Sequence, residues 1–353
     1  MQKQTAMEKL PDDLKIEILL HLPVKSLLRF KSVSKSWLSL ISDPSFANLH
    51  FQRSSQHTLR FPYRIHQQIR SIDLNTSLHD DSATIKLDSP INYDVILTSC
   101  RGFLLLLNKE EDDLLLWNPS TGEHKHIPLP LPWVLSELYG FCYDESTHDY
   151  LIVLASSLSL LSPSVLGFYV FSVRTNSWEK LALDHQVLHV TPSPGVGSVV
   201  NGAIHWLVWY PPCRVKKILA FDIRTRSLLQ QLVLEPDDVD LGGLCYLRVF
   251  GGSLALIDIT DHEIKVWMMK EYGVKSSWTK LMSVSSLRGM CFSYCKPICL
   301  TKNGQLVTLQ RNLELLKWSE GGELLEVRDY DDYQNFWLLA AAIVYTETLL
   351  PLS

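Results

Sequence analysis

Leu116-Trp117-Asn118-Pro119-Ser120-Thr121-Gly122 reads as an apolar strand that ends on an aromatic residue and breaks into a polar turn. Asn, Pro, Ser and Gly are turn formers for separate reasons: side-chain bonds to the backbone, a fixed φ, and tolerance of positive φ. The pattern returns as Val170-Phe171-Ser172-Val173-Arg174-Thr175-Asn176-Ser177-Trp178 and as Ala220-Phe221-Asp222-Ile223-Arg224-Thr225-Arg226-Ser227. Val266-Trp267 and Lys317-Trp318-Ser319-Glu320-Gly321-Gly322 keep the aromatic and degrade the turn, and Ile72-Asp73-Leu74-Asn75-Thr76 is a weak first copy. A second signature is a Gly-led turn into an apolar strand: Arg101-Gly102-Phe103-Leu104, Asn201-Gly202-Ala203-Ile204, Gly251-Gly252-Ser253-Leu254 and Asn303-Gly304-Gln305-Leu306. The gap between Gly102 and Gly202 leaves room for one further unit near Tyr139 to Val153.

Copies at roughly 50-residue spacing, with several strands each, predict an all-β domain built as a β-propeller of about six blades. One blade cannot cover both faces of its own sheet, so neighbours must stack and the aromatics pack between them. Ala341, Ile343, Val344 and Tyr345 are placed to supply a closing strand between first and last blades. The alternative architecture is a paired β-sandwich. Leu151 to Val173 carries no charge until Arg174, but its serines, Pro163 and Gly167 read as two strands and a loop rather than a membrane span.

The first fifty residues follow a different period. Pro11 opens a helix, Asp12 and Asp13 suit its first turn, and Leu14, Ile18 and Leu22 recur every fourth position with Leu19 beside them. Pro23 stops that helix and starts the next, which carries Leu27, Leu28 and Phe30. Val33, Trp37 and Ile41 step by four, and Asp43-Pro44 caps a last helix through Phe46 and Leu49. So small an all-α piece cannot bury that much apolar surface on itself. Some of it must meet another protein, or else the large domain.

The charge is uneven: residues 1–53 hold eight Lys/Arg and five Asp/Glu, a balance of +3, which leaves −8 of the net −5 for the rest. No basic field argues for nucleic acid. Met1-Gln2-Lys3-Gln4-Thr5 is polar and not leader-like, and seven cysteines are expected as free thiols of the cytoplasm or nucleus.

The string from about Glu8 to Arg53, with Leu-Pro-Asp-Asp-Leu, Glu-Ile-Leu, Leu-Pro-Val-Lys-Ser-Leu-Leu-Arg-Phe and Lys-Ser-Val-Ser-Lys-Ser-Trp, closely resembles an F-box. The rest resembles the F-box-associated interaction domain of a large plant family. The residues that carry this are Leu116 to Gly122, Tyr139-Gly140-Phe141-Cys142-Tyr143-Asp144, Asn201-Gly202-Ala203-Ile204-His205-Trp206 and Ala220-Phe221-Asp222. Members are often described as kelch-like, but only Gly251-Gly252 and Gly321-Gly322 give the kelch glycine doublet here. The resemblance implies an F-box over 8–53, a linker over 54–60 and the β domain over 61–350. It implies the substrate-recognition subunit of an SCF ubiquitin ligase, without catalytic residues of its own. A Skp-type adaptor would link it to cullin and RING subunits. By position the adaptor-facing set is Leu10, Pro11, Leu14, Ile18, Leu19, Leu22, Pro23 and Val24. Leu27, Leu28, Val33 and Trp37 are split between that contact and the module's own core.

Other motifs carry less. Cys291, Cys295 and Cys299 would share one face of a straight strand, each step roughly 13 Å, too far for one zinc. His124/His126 and His185/His189 have ligand-like spacing but no cysteine near them in sequence, and no acidic partner is expected for them. Gly195-Val196-Gly197-Ser198 lacks the ending of a phosphate loop. Asp237-Asp238 and Asp331-Asp332 sit in polar, turn-like contexts. No metal, cofactor, nucleic acid or membrane is expected, and no homo-oligomer is required. Alternatives to the receptor are a propeller hydrolase or oxidase with a helical docking tag, and a scaffold that sequesters the adaptor. For an unknown client protein, Trp133 in the segment 129–137 and Tyr210 and Arg214 in the segment 210–217 are the candidate contacts.

Overall fold

The computed structural model describes residues 11–54, 59–65, 68–90, 93, 95–132, 136–157, 166–182, 189–190, 195–210, 215–232, 244–285, 292, 295–310, 314–330 and 342–352. Four helices come first: α1 (Asp12–Leu20), α2 (Val24–Phe30), α3 (Lys35–Ile41) and α4 (Pro44–Ser54). The starts of α1, α2 and α4 follow the sequence signals, and Ser34 adds a cap for α3. Pro11 and Pro23 stand immediately before α1 and α2. Ser34 Oγ accepts from Trp37 N (3.3 Å), and Asp43 Oδ1 accepts from Ser45 N (2.7 Å). α1 ends at Leu20, so Leu22 lies beyond the helix on which the four-residue period had placed it.

All strands that follow sit in six sheets among the described residues. Blade 1 holds β1 (Arg60–Ile65), β2 (Gln68–Asp73) and β3 (Thr84–Leu87). Blade 2 holds β4 (Val95–Cys100), β5 (Phe103–Asn108), β6 (Asp113–Trp117) and β7 (His124–Pro128). Blade 3 is β8 (Ser136–Asp144), β9 (Asp149–Ser157), β10 (Leu166–Ser172) and β11 (Ser177–Leu181). In blade 4 two short pieces, β12 (His189–Val190) and β14 (Ser198–Val200), share the inner edge of β15 (Ala203–Tyr210), followed by β16 (Val215–Asp222) and β17 (Ser227–Leu232). β13 (Gly195–Val196) crosses back and pairs in parallel with β8 of blade 3. Blade 5 is β18 (Leu244–Phe250), β19 (Ser253–Ile259), β20 (Glu263–Met269) and β21 (Trp278–Ser285). Blade 6 is β22 (Lys296–Leu300), β23 (Leu306–Gln310), β24 (Glu314–Trp318) and β25 (Leu324–Arg328).

The two sequence signatures map onto this plan. The aromatic signature falls at or near the end of the third strand in blades 2 to 6, at Trp117, Phe171, Phe221, Trp267 and Trp318, and Ile72 near the end of β2 holds the corresponding place in blade 1. The Gly-led signature is the hairpin from first to second strand. Both central residues take positive φ at Arg101-Gly102 (49° and 88°), Asn201-Gly202 (50° and 70°) and Gly251-Gly252 (56° and 77°), the requirement of a tight two-residue turn. Blade 3 fills the gap near Tyr139, with His148 at φ 52° instead of a glycine.

The run Phe103-Leu104-Leu105-Leu106-Leu107 is buried throughout because both faces of its sheet are covered. Leu104 and Leu106 join Ile69, Leu87 and Tyr345 between blades 1 and 2; Phe103, Leu105 and Leu107 join Phe141, Ile152 and Leu154 between blades 2 and 3. The same alternation in β9, β16, β19 and β23 fills the remaining seams. Every pair of neighbouring blades therefore shares a core, including blades 6 and 1, where Phe61 and Tyr63 meet Val307 and Leu309. That arrangement is a closed ring and replaces the sandwich alternative.

Closure has two parts. Tyr345 and Arg60 exchange both backbone hydrogen bonds at 2.9 Å, on the edge of β1 that β2 leaves open. On the outside, Glu326 accepts from Leu78 N (2.6 Å) and Ser77 Oγ (3.1 Å), and Lys317 donates to Thr76 O.

Two expectations need correction, and a third motif gains a role. Cys295 and Cys299 do not share a face: the register slips between Pro297 and Cys299, so Cys295 packs in the blade 5–6 core and Cys299 in the blade 6–1 core. Burial pushes the Cys295 thiol up to about 12, the state of an inert core residue. His126 does have an acidic partner, Asp113 Oδ2 at 2.9 Å across the hairpin. Gly197 is no phosphate loop but the link between β13 and β14; its N–H donates to Tyr139 O (2.7 Å), and a Cβ there would lie 2.3 Å from Ile204 Cγ2. Cys291, His185, Asp237, Asp238, Asp331 and Asp332 lie outside the described residues. No metal-holding group of His, Cys, Asp or Glu occurs among the described residues, and no described helix is long and apolar enough to cross a membrane.

Candidate functional site

α1 is apolar on more than one side. Ile16, Leu19 and Leu20 face inward and pack with Val24, Leu27, Ile41, Phe46 and Ala47. Leu14 and Ile18, one turn apart, face outward and stay 51% and 43% exposed. Val33 in the turn before α3 is 62% exposed, and Leu38 on α3 is 48% exposed. With Leu49, five of the eight exposed large hydrophobics among the described residues fall within residues 11–54, and only Val199, Leu281 and Leu325 lie elsewhere. Apolar side chains this concentrated on a small module mark an interaction surface.

The sequence-predicted set therefore divides. Pro11, Leu14, Ile18, Pro23 and Val33 are exposed; Leu22, Leu28 and Trp37 are half-buried. Trp37 packs edge-on against Phe30 at 5.1 Å. Leu19 and Val24 are corrected to core, and Leu27, which was divided between contact and core, falls in the core, since the helices need a centre of their own and these three supply it. Leu10 lies outside the described residues. The sequence reading missed Leu38, because it falls one residue off the Val33–Trp37–Ile41 step. That step runs from exposed Val33 to buried Ile41 and is not one face.

Polar contacts hold the module's shape. Arg53 on α4 bonds Glu17 on α1 at 2.9 Å, and that bond keeps the Glu17 carboxyl below its ordinary range. His50 Nε2 donates to Leu22 O at 2.8 Å and fixes the α1–α2 turn, while burial holds the imidazole below its ordinary value. The module sits at the ring end that carries the first hairpins of blades 2 and 3: Asn48 and Phe51 of α4 meet Arg101, which meets Glu145.

A family model described as F-box domain matches residues 7–49, and one described as F-box associated beta propeller domain matches residues 53–350. The chain belongs to the F-box associated β-propeller family. It is 29% identical to the F-box protein CPR1 of Arabidopsis thaliana, over 96% of this chain and 89% of that protein. F-box protein At5g49610 of the same plant is 28% identical over 97% of both chains. F-box/kelch-repeat protein At3g23880, also from that plant, is 28% identical over 85% of both chains. The F-box of this chain is thus the helical module, and the associated domain is the six-bladed ring.

The client candidates are less placed. Tyr210 ends β15, and its side chain is outside the description, as are Trp133 and Arg214. The described residues that flank them, Pro128, Ser136, Tyr210 and Val215, end their strands away from the first hairpins, and so away from the F-box.

Proposed function

We propose that the chain is the substrate-recognition subunit of an SCF-type ubiquitin ligase. Its F-box docks on a Skp-type adaptor, through that adaptor to cullin and RING subunits, and the propeller binds the client protein. The observation that carries this reading is the outward apolar set Leu14, Ile18, Val33 and Leu38, which the propeller leaves uncovered. Amphipathic helices of this kind meet a groove on a partner, and a few apolar anchors carry such interfaces. The chain then contributes proximity, raising the effective concentration of client lysines near an enzyme charged with ubiquitin. Catalysis belongs to that enzyme. The client meets the end of the ring away from the F-box, where Tyr210 and the strand ends around Trp133 and Arg214 gather. The reading places the protein in cytoplasm or nucleus, where thiols such as its five described cysteines, outside any disulfide, stay reduced.

Leu14→Ala with Ile18→Ala tests it. Both side chains are exposed, so the fold is retained. Pull-down of a purified Skp-type adaptor should fall at least about tenfold if each truncation costs on the order of 1 kcal/mol of binding. Undiminished capture by the folded variant sinks the docking assignment.

A further inference from the structure

We infer that Arg101, together with residues 348–352, is a positioning device that fixes the F-box on blades 2 and 3, so that the docking face and the ring move as one body. Its purpose rests on the ligase reading above; its geometry does not.

Arg101 stands in the two-residue turn between β4 and β5 at φ 49°. Its Nη2 donates to Asn48 Oδ1 on α4. Its Nη1 donates to Glu145 Oε1, 3.1 Å away in the turn after β8. The guanidinium lies 4.1 Å from the centre of the Tyr143 ring and 5.2 Å from that of Phe51. One side chain thus joins blade 2, blade 3 and α4, and only 17% of it is exposed. A planar fork makes these directed bonds and ring contacts together, which a lysine ammonium does not.

The second attachment comes from the far end of the fold. Thr348 is buried over Gly102, where a Cβ would stand 2.3 Å from Thr348 Cγ2. Asn118 Nδ2 donates to Thr348 O and Leu350 O, both at 3.3 Å. Ser120 Oγ accepts from Thr348 N at 3.2 Å, and Glu123 Oε1 accepts from Leu352 N at 3.3 Å. The turn Asn118 to Glu123 is therefore a receiver for this segment as well as a repeat turn. Leu349 and Leu350 are then buried in the same core as Leu19, Leu20, Ile41 and Phe46 of the helices.

Modules joined by a short connection reorient by default. Here α4 is held from one side by Arg101, and Leu349 and Leu350 lie in the continuous core that the helices share with blades 2 and 3. Two separate attachments remove the rotation that one would permit. In a ligase, a fixed angle between adaptor and ring keeps the client at a fixed distance from the transferring enzyme.

The test measures that angle in the full chain. Spin labels at Ser39→Cys on α3 and Lys280→Cys on β21, both exposed positions, report the module–ring distance distribution. A chain without the two new cysteines subtracts any label on native thiols. The parent should give one narrow distribution. Arg101→Ala with Asn48→Ala should broaden it roughly twofold or more while the melting of the ring is retained. Should Arg101→Ala disturb its turn, Asn48→Ala with Phe51→Ala removes the same clasp from the α4 side and leaves the ring untouched. An unchanged width in either folded variant overturns the inference. Adaptor capture separates the two readings: clasp variants should keep it, and Leu14→Ala with Ile18→Ala should lose it while keeping the narrow distribution. Full capture by the latter defeats the ligase reading alone.

Discussion

His50 shows how one buried ring ties the F-box together and makes it sensitive to acid. Its Nε2 carries the proton donated to Leu22 O, which leaves Nδ1 buried and without a partner among the described residues. Protonating Nδ1 would bury a charge, and burial accordingly holds the folded pKa below the ordinary 6.5. As pH falls through 6.5 the unfolded chain takes up a proton that the folded one refuses, so stability declines. The decline stops once the folded ring itself protonates. Thermal melts between pH 7.5 and 5.5 should show this slope, and His50→Gln, which keeps a donor for Leu22 O, should flatten it relative to the parent. Gly102 is the other telling residue. The sequence marked it as a turn former, and φ 88° agrees. What the sequence did not reveal is Thr348 lying against it, a contact between residues far apart in the chain. Gly102→Ala carries both the backbone strain and the clash, and should cost roughly 2–5 kcal/mol in denaturant unfolding, against a few tenths for a substitution at an open surface site.

Helices and strands were legible to different degrees. The prolines and the Asp43 cap gave three helix starts directly, because capping is local chemistry, whereas the Ser34 cap of α3 was found only in the structure. Ser34→Ala should lower F-box stability by about 1 kcal/mol through the lost bond to Trp37 N, with propeller melting unchanged. Which side of α1 faces inward was not legible, since Leu14, Ile16, Ile18, Leu19 and Leu20 are all apolar and only packing separates them. β22 misled for a related reason: strict two-residue alternation fails at the slip beside Pro297, a residue that suits an edge strand. β5 and β6 read correctly, as unbroken apolar runs belong to sheets covered on both faces. Trp117→Ala in β6 should cost roughly 3–5 kcal/mol, read as a shift in denaturant midpoint.

For the molecule as a whole, a ring of about six blades was legible because five blades carry an aromatic near the end of the third strand and most first hairpins repeat their glycine; the diverged first copy at Ile72 left the number itself open. Blade 3 hid its hairpin by using His148. The closing role of Tyr345 was also readable, but the onward path of residues 348–352 into the F-box was not, since nothing local marks a segment for a distant receiver. Truncation after Val344 removes both roles together. It uncovers the free edge of β1 and gives up the burial of Leu349 and Leu350, roughly 1.5–3 kcal/mol each. Hydrogen exchange should then lose protection in blade 1 and in α1 together, whereas retained protection in α1 would argue that the helices hold without this segment.

The short piece Gly195 to Val200 has a last consequence. Its first half belongs to blade 3 and its second half to blade 4, with only Gly197 between. These two blades therefore share an uninterrupted seam of backbone, like adjoining staves pinned by one dowel. A circularly permuted chain opened at Gly197 would loosen both at once, while one opened in the turn at Gly251-Gly252 would disturb a single hairpin.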